Sequence, residues 1–78
     1  MRHRFRLRTS TIAVIYDGAG KKVTEMIPAG EVIKALGVVP LDRAAVEPTE
    51  QIEVLWEGRT MSMFLVDLLD RGERVPAN

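Results

Sequence analysis

The most regular alternation of apolar and polar positions runs from Gln51 to Val66, QIEVLWEGRTMSMFLV, on either side of Glu57-Gly58. Folding this stretch back on a two-residue tip at Glu57-Gly58 sets Trp56 opposite Arg59, Leu55 opposite Thr60, Val54 opposite Met61, Glu53 opposite Ser62 and Ile52 opposite Met63. Successive strand residues point to opposite faces, so one face of the hairpin carries Ile52, Val54, Met61 and Met63 and the other carries Glu53, Leu55, Thr60 and Ser62. A slip of one residue would undo that sorting, and the pattern therefore fixes the register. Gly58 supplies the positive φ of a tight tip. Glu57 is a poorer first tip residue than Asn or Asp, which leaves a longer, bulged loop as the alternative.

The rest of the chain reads as short strands between turn signals. Residues 1–10 predict a basic arm or charged edge strand, because Arg2, Arg4, Arg6 and Arg8 alternate with His3, Phe5 and Leu7. Thr11 to Tyr16, TIAVIY, is β-branched and runs into a turn at Asp17-Gly18-Ala19-Gly20, after which Lys21 to Ile27 returns with Val23 and Ile27 on one side. Gly20-Lys21 is not a phosphate loop: the spacing of its glycines, the residue after Lys21 and the lack of a following amphipathic helix all disagree with that motif. Ile27-Pro28-Ala29-Gly30 fits a type I turn. Glu31 to Leu36 follows as a strand, although EVIKAL also suits one helical turn. Gly37 to Glu50 is the longest irregular segment, with Asp42 placed to cap a brief helix over residues 42–46. Val66-Asp67-Leu68-Leu69 breaks the alternation and predicts a helical turn, after which Gly72 resets direction, Glu73 to Val75 form a last strand and Pro76 ends it. A longer helix from Ser62 to Arg71 is the rival, but it would make the matching of Met61 and Met63 with Val54 and Ile52 a coincidence.

Length and charge narrow the picture. A chain of 78 residues is one small domain that buries only roughly 60% of its unfolded surface, so it has little room for a deep pocket. Without cysteine it has neither disulfides nor a thiolate metal site. No apolar run approaches the ~20 residues that span a bilayer, and Ile12 to Tyr16 is shorter than the roughly 7–15 residues of a secretory h-region; a soluble cytoplasmic protein is expected. The formal net charge of zero hides a split. The four arginines among the first eight residues leave seven basic against eleven acidic residues in the remainder. An acidic body repels nucleic acid, so binding to phosphates falls to Arg2, Arg4, Arg6 and Arg8 and is expected to be weak.

The inventory for catalysis is thin. His3 is the sole histidine, and Ser10 and Ser62 have no base near in sequence. Asp67, Asp70 and Glu73 recur every third residue, which reads as a solvated face with Arg71 and Arg74 beside it rather than as a metal or acid–base site. No catalytic residue, metal, cofactor or small-molecule substrate is expected. Trp56 and Arg59 face each other and can stack, and a pair of this kind often dominates interfaces, so together with Tyr16 they are the candidate partner-binding residues. The alternative is that Trp56 continues the Ile52–Val54 stripe and closes one end of the core. Met61, Met63 and Phe64 are read as core.

The order of strand, long turn, strand, PAG turn, strand, loop, tight hairpin, helical turn and short last strand resembles the SH3-like small β-barrel. The likeness covers residues 11–75, leaves 76–78 as a tail, and is carried by IPAGEVIKAL, IEVLWEGRTMSMF and VDLLDRGERV. It implies an all-β, five-stranded barrel with one short helical turn before the last strand. Proline-rich ligands of peptide-binding SH3 domains need an ALYDY-type cluster and a Trp pair, of which this chain keeps Tyr16-Asp17 and Trp56. The pattern is nearer to small SH3-like proteins of bacteria, which implies an adaptor, regulatory or RNA-associated module that engages a protein partner or a second copy of itself; fold likeness alone does not choose among these.

Overall fold

The structure is a computed structural model that describes residues 3–16, 18–40 and 42–76. Among the described residues seven strands run Arg4–Leu7 (β1), Thr11–Tyr16 (β2), Lys22–Ile27 (β3), Val32–Ala35 (β4), Gln51–Trp56 (β5), Arg59–Phe64 (β6) and Gly72–Val75 (β7), with one α-helix, Leu65–Arg71 (α1), before the last. They form a single antiparallel sheet in the order β3-β2-β6-β5-β4-β1-β7, with β3 and β7 as its edges. The all-β expectation holds, with seven strands in place of five and a sheet that is not closed on itself.

The central hairpin has the expected register in every pair from Ile52↔Met63 to Trp56↔Arg59, and Gln51↔Phe64 extends it. Its tip is the tight one. Glu57 has φ 50° and Gly58 φ 74°, the two positive values of a type I′ turn. The faces sort as the alternation requires: Val54, Met61 and Met63 are at most 2% exposed, and Glu53 and Thr60 lie in solvent. Val54→Ala or Met63→Ala is therefore expected to cost about 1–4 kcal/mol, and Glu53→Ala or Ser62→Ala to stay within about half a kcal/mol. Urea melts of the four variants check this, and reversed costs would mean a slipped register.

The N-terminal segment is not an edge or an arm over residues 4–7. β1 lies between β4 and β7, pairing Phe5 with Ile33 on one side and with Arg74 on the other. Phe5 and Leu7 are each 1% exposed. The alternation of exposed arginines with buried Phe5 and Leu7 is present, but arginines on one side of a strand suit the solvated face of an inner strand as well as an edge. Leu7 is further held by backbone bonds, donating to the carbonyl of Glu31 at 2.9 Å and accepting from Gly30 at 2.7 Å. The turn there closes one residue later than expected. The Glu31 N–H reaches the Pro28 carbonyl at 3.4 Å and Gly30, third of the four residues, has φ 91°, which is the type II requirement rather than type I.

α1 buries Leu65 and Leu68 against the sheet and passes directly into β7 at Gly72. A Cβ at Gly72 would sit 2.7 Å from the Leu68 carbonyl oxygen and 3.4 Å from Phe5 Cβ, so the close approach of helix end and β1 excludes a side chain. The loop before β5 contains the short helical turn Arg43–Ala45, and the Asp42 carboxylate accepts from the Ala44 N–H at 2.9 Å as its cap. Arg43 then grips Asp70 of α1 through two hydrogen bonds of 2.9 and 3.2 Å. That grip holds the Asp70 carboxyl below its usual range. Among the described residues no helix is long and apolar enough to cross a membrane.

Candidate interaction surface

The hairpin brings Trp56 and Arg59 together as the pairing requires, with the guanidinium 5.5 Å from the ring centroid. Trp56 is nonetheless a core residue, 9% exposed. Its indole N–H donates to Glu31 Oε1 at 3.0 Å. Arg59 Nη2 lies 2.8 Å from Glu25 Oε2, an ion pair at an angle poor for a hydrogen bond. The two residues thus clamp the hairpin tip to β3 and to the start of β4 and present little of the ring outward. Tyr16 is 56% exposed but projects from the other face of the sheet, because its neighbours Thr11 and Ala13 define the buried side of β2. The three candidate partner residues do not form one site.

The arginines also part company. Arg4 faces solvent opposite Lys34, Arg6 is 3.9 Å from Glu73, and Arg8 donates to the Asp70 carbonyl oxygen at 2.9 Å. Arg2 lies outside the described residues.

A different surface emerges on the outer face of β3, β2 and β6. Met26 pairs with Ile12, and continuing the Val14↔Ser62 register by two residues places Phe64 on the far side of Ile12. These three side chains form an apolar row 52%, 53% and 43% exposed. Beside it Ile12, Val14, Ser62 and Phe64 line a groove of about 190 Å³ whose flanking charges are Lys22 and Asp67. A second depression of about 280 Å³, near Val38, is wider, and Glu50 and Glu53 border it; its polar walls suit an apolar partner less well. Phe64, expected in the core, is thus at the surface. The signal was present in TIAVIY, which is apolar on both of its faces although only one can be buried in a single-layer contact.

Comparison with protein-family models, with curated proteins and with solved structures finds no match in any of the three.

Proposed function

We propose that this is a non-enzymatic SH3-like binding module that engages a protein, a second copy included, through the outer face of β3, β2 and β6. The observation that carries it is the exposed row Met26–Ile12–Phe64, since contiguous apolar side chains on a small protein mark interaction surfaces. What supports the SH3-like reading is the order of elements. β7, β1, β4, β5 and β6 are consecutive neighbours, a long β2–β3 hairpin is inserted between the first strand and the next, and one short helix precedes the last strand. The likeness then begins at Arg4 rather than at residue 11, as read from the sequence: the five barrel strands are β1 and β4 to β7, and β2–β3 is the long arm.

The test is a pair of baits, the intact chain and the Ile12→Asp/Phe64→Asp variant, used to capture a protein that is then purified and titrated. Both sites are exposed, so the variant should melt within about 1 kcal/mol of the parent. Its affinity should fall at least about tenfold, the equivalent of 1.4 kcal/mol. Binding that survives both substitutions and is lost with Arg59→Ala would move the site to the hairpin tip and overturn the proposal.

One observation favours a nucleic-acid-associated role as the second reading. Arg4 and Lys34 stand directly opposite each other on adjacent strands, a like-charge pairing that costs stability unless an anion joins it. Two cations allow a salt slope on duplex DNA no steeper than about −1.8, at roughly −0.9 per phosphate contact. Fluorescence titration with an oligonucleotide at several salt concentrations should find weak binding that Arg4→Ala/Lys34→Ala removes. A slope steeper than that would require phosphate contacts elsewhere.

A further inference from the structure

The two edges of the sheet are finished in different ways. β7 has four residues and is followed by Pro76, while the Arg74 guanidinium lies over Phe5 at 5.2 Å and reaches the Pro40 carbonyl at 3.4 Å. Short length, proline and charge are the usual protections of an edge. β3 has few of them. All six of its residues pair with β2 in unbroken register from Lys22↔Tyr16 to Ile27↔Thr11, so no bulge bends the strand. Proline appears only after its end, at Pro28. Its one carboxylate, Glu25, is taken up by Arg59. Alternate backbone N–H and C=O groups of β3 therefore face outward along a straight edge that also carries Val23 and Met26, 46% and 52% exposed.

We propose that this edge pairs with the β3 edge of a second copy, antiparallel about a two-fold axis at Thr24. The inference rests on the outer-face reading and names its partner. KVTEMI is self-complementary in that register. Thr24 meets Thr24 of the partner subunit, Val23 meets Glu25 of the partner subunit and Lys22 meets Met26 of the partner subunit. No like charges oppose each other, Thr–Thr is a favourable cross-strand pair, and the Lys22 stem can cover an otherwise exposed Met. Other registers are worse. An axis at Glu25 sets two carboxylates face to face, an axis at Val23 sets Met26 against a glycine, and an axis at Met26 brings Pro28 into the ladder. An axis between residues would turn the outer face of one copy to the inner face of the other. In the favoured register the row Phe64–Ile12–Met26 continues onto Lys22 and Tyr16 of the second copy, joining the apolar faces of both.

The chain has no cysteine, so single thiols report the register cleanly. Under mild oxidation Thr24→Cys should form a disulfide-linked dimer at least about tenfold faster than Lys22→Cys or the β7-edge control Glu73→Cys, because only position 24 meets its own copy. The two copies of position 22 would be separated by four residue rises, roughly 13 Å, beyond disulfide reach. Sedimentation of the unsubstituted chain should show mass rising from monomer to dimer with concentration, and Thr24→Lys should remain monomeric with an unchanged circular dichroism melt. Equal cross-linking rates at positions 24 and 73, or a monomer at every concentration, would overturn the proposal. A failure there leaves the capture result with Ile12→Asp/Phe64→Asp to stand or fall separately, since those substitutions leave the β3 edge intact.

Discussion

A chain lacking residues 1–8 is expected to show no cooperative thermal or urea transition. The deletion removes β1 from the interior of the sheet, where it pairs with β4 and with β7 at once. It also removes Phe5 and Leu7, both 1% exposed. Phe5→Ala alone should cost about 3–5 kcal/mol, a large share of the 5–15 kcal/mol that a domain has in all. The loss would reach α1 as well, because Gly72, where α1 passes into β7, lies close against Phe5. Arg4→Ala/Arg6→Ala provides the contrast. Both side chains point to solvent and the Arg6–Glu73 ion pair is half-exposed, so the double variant should melt within about 1 kcal/mol of the parent. Circular dichroism melts of the three chains check the result; a truncated chain that melts like the intact one would show that β1 is dispensable.

That outcome differs from what the residues alone imply, and the difference has a physical origin. The alternation of RHRFRLR declares a strand with one charged face, but its neighbours, Lys34 and Val75, lie far away along the chain, and nothing local encodes them. The β5–β6 hairpin was legible because its pairing is local and both strands sort apolar from polar on the same side. The Asp42 cap, the helical turn around Leu68 and the reset at Gly72 were legible for the same reason: each is decided within a few residues. The interaction surface was harder to see. Phe64 shares the parity of Ser62 and Thr60, so the hairpin period already sends it outward; reading it as core followed its hydrophobicity rather than its position. β2, apolar on both sides, required knowledge of which neighbour covers which face.

Trp56→Ala is expected to cost about 3–5 kcal/mol, as removal of a large buried aromatic does, rather than the modest amount that a surface anchor would. The ring is 9% exposed and belongs to the same core cluster as Val54 and Met61. Its loss also leaves the Glu31 carboxylate without the indole N–H it accepts at 3.0 Å. Arg59→Ala should cost far less. Its stacking on Trp56 is worth about 0.5–1 kcal/mol and its ion pair with Glu25, partly open to water, at most about 1 kcal/mol. Trp56→Phe keeps most of the packing but loses the hydrogen bond and the rest of the indole, so it should fall between the two. In a double-mutant cycle the coupling of Trp56 to Arg59 should stay near or below about 1 kcal/mol, the size of the stacking itself. Urea melts of the three single variants and the double establish the order. If Trp56→Ala and Arg59→Ala proved equally mild, the ring would not be part of the core, and the hairpin tip would return as a candidate docking surface in place of the β3, β2 and β6 face.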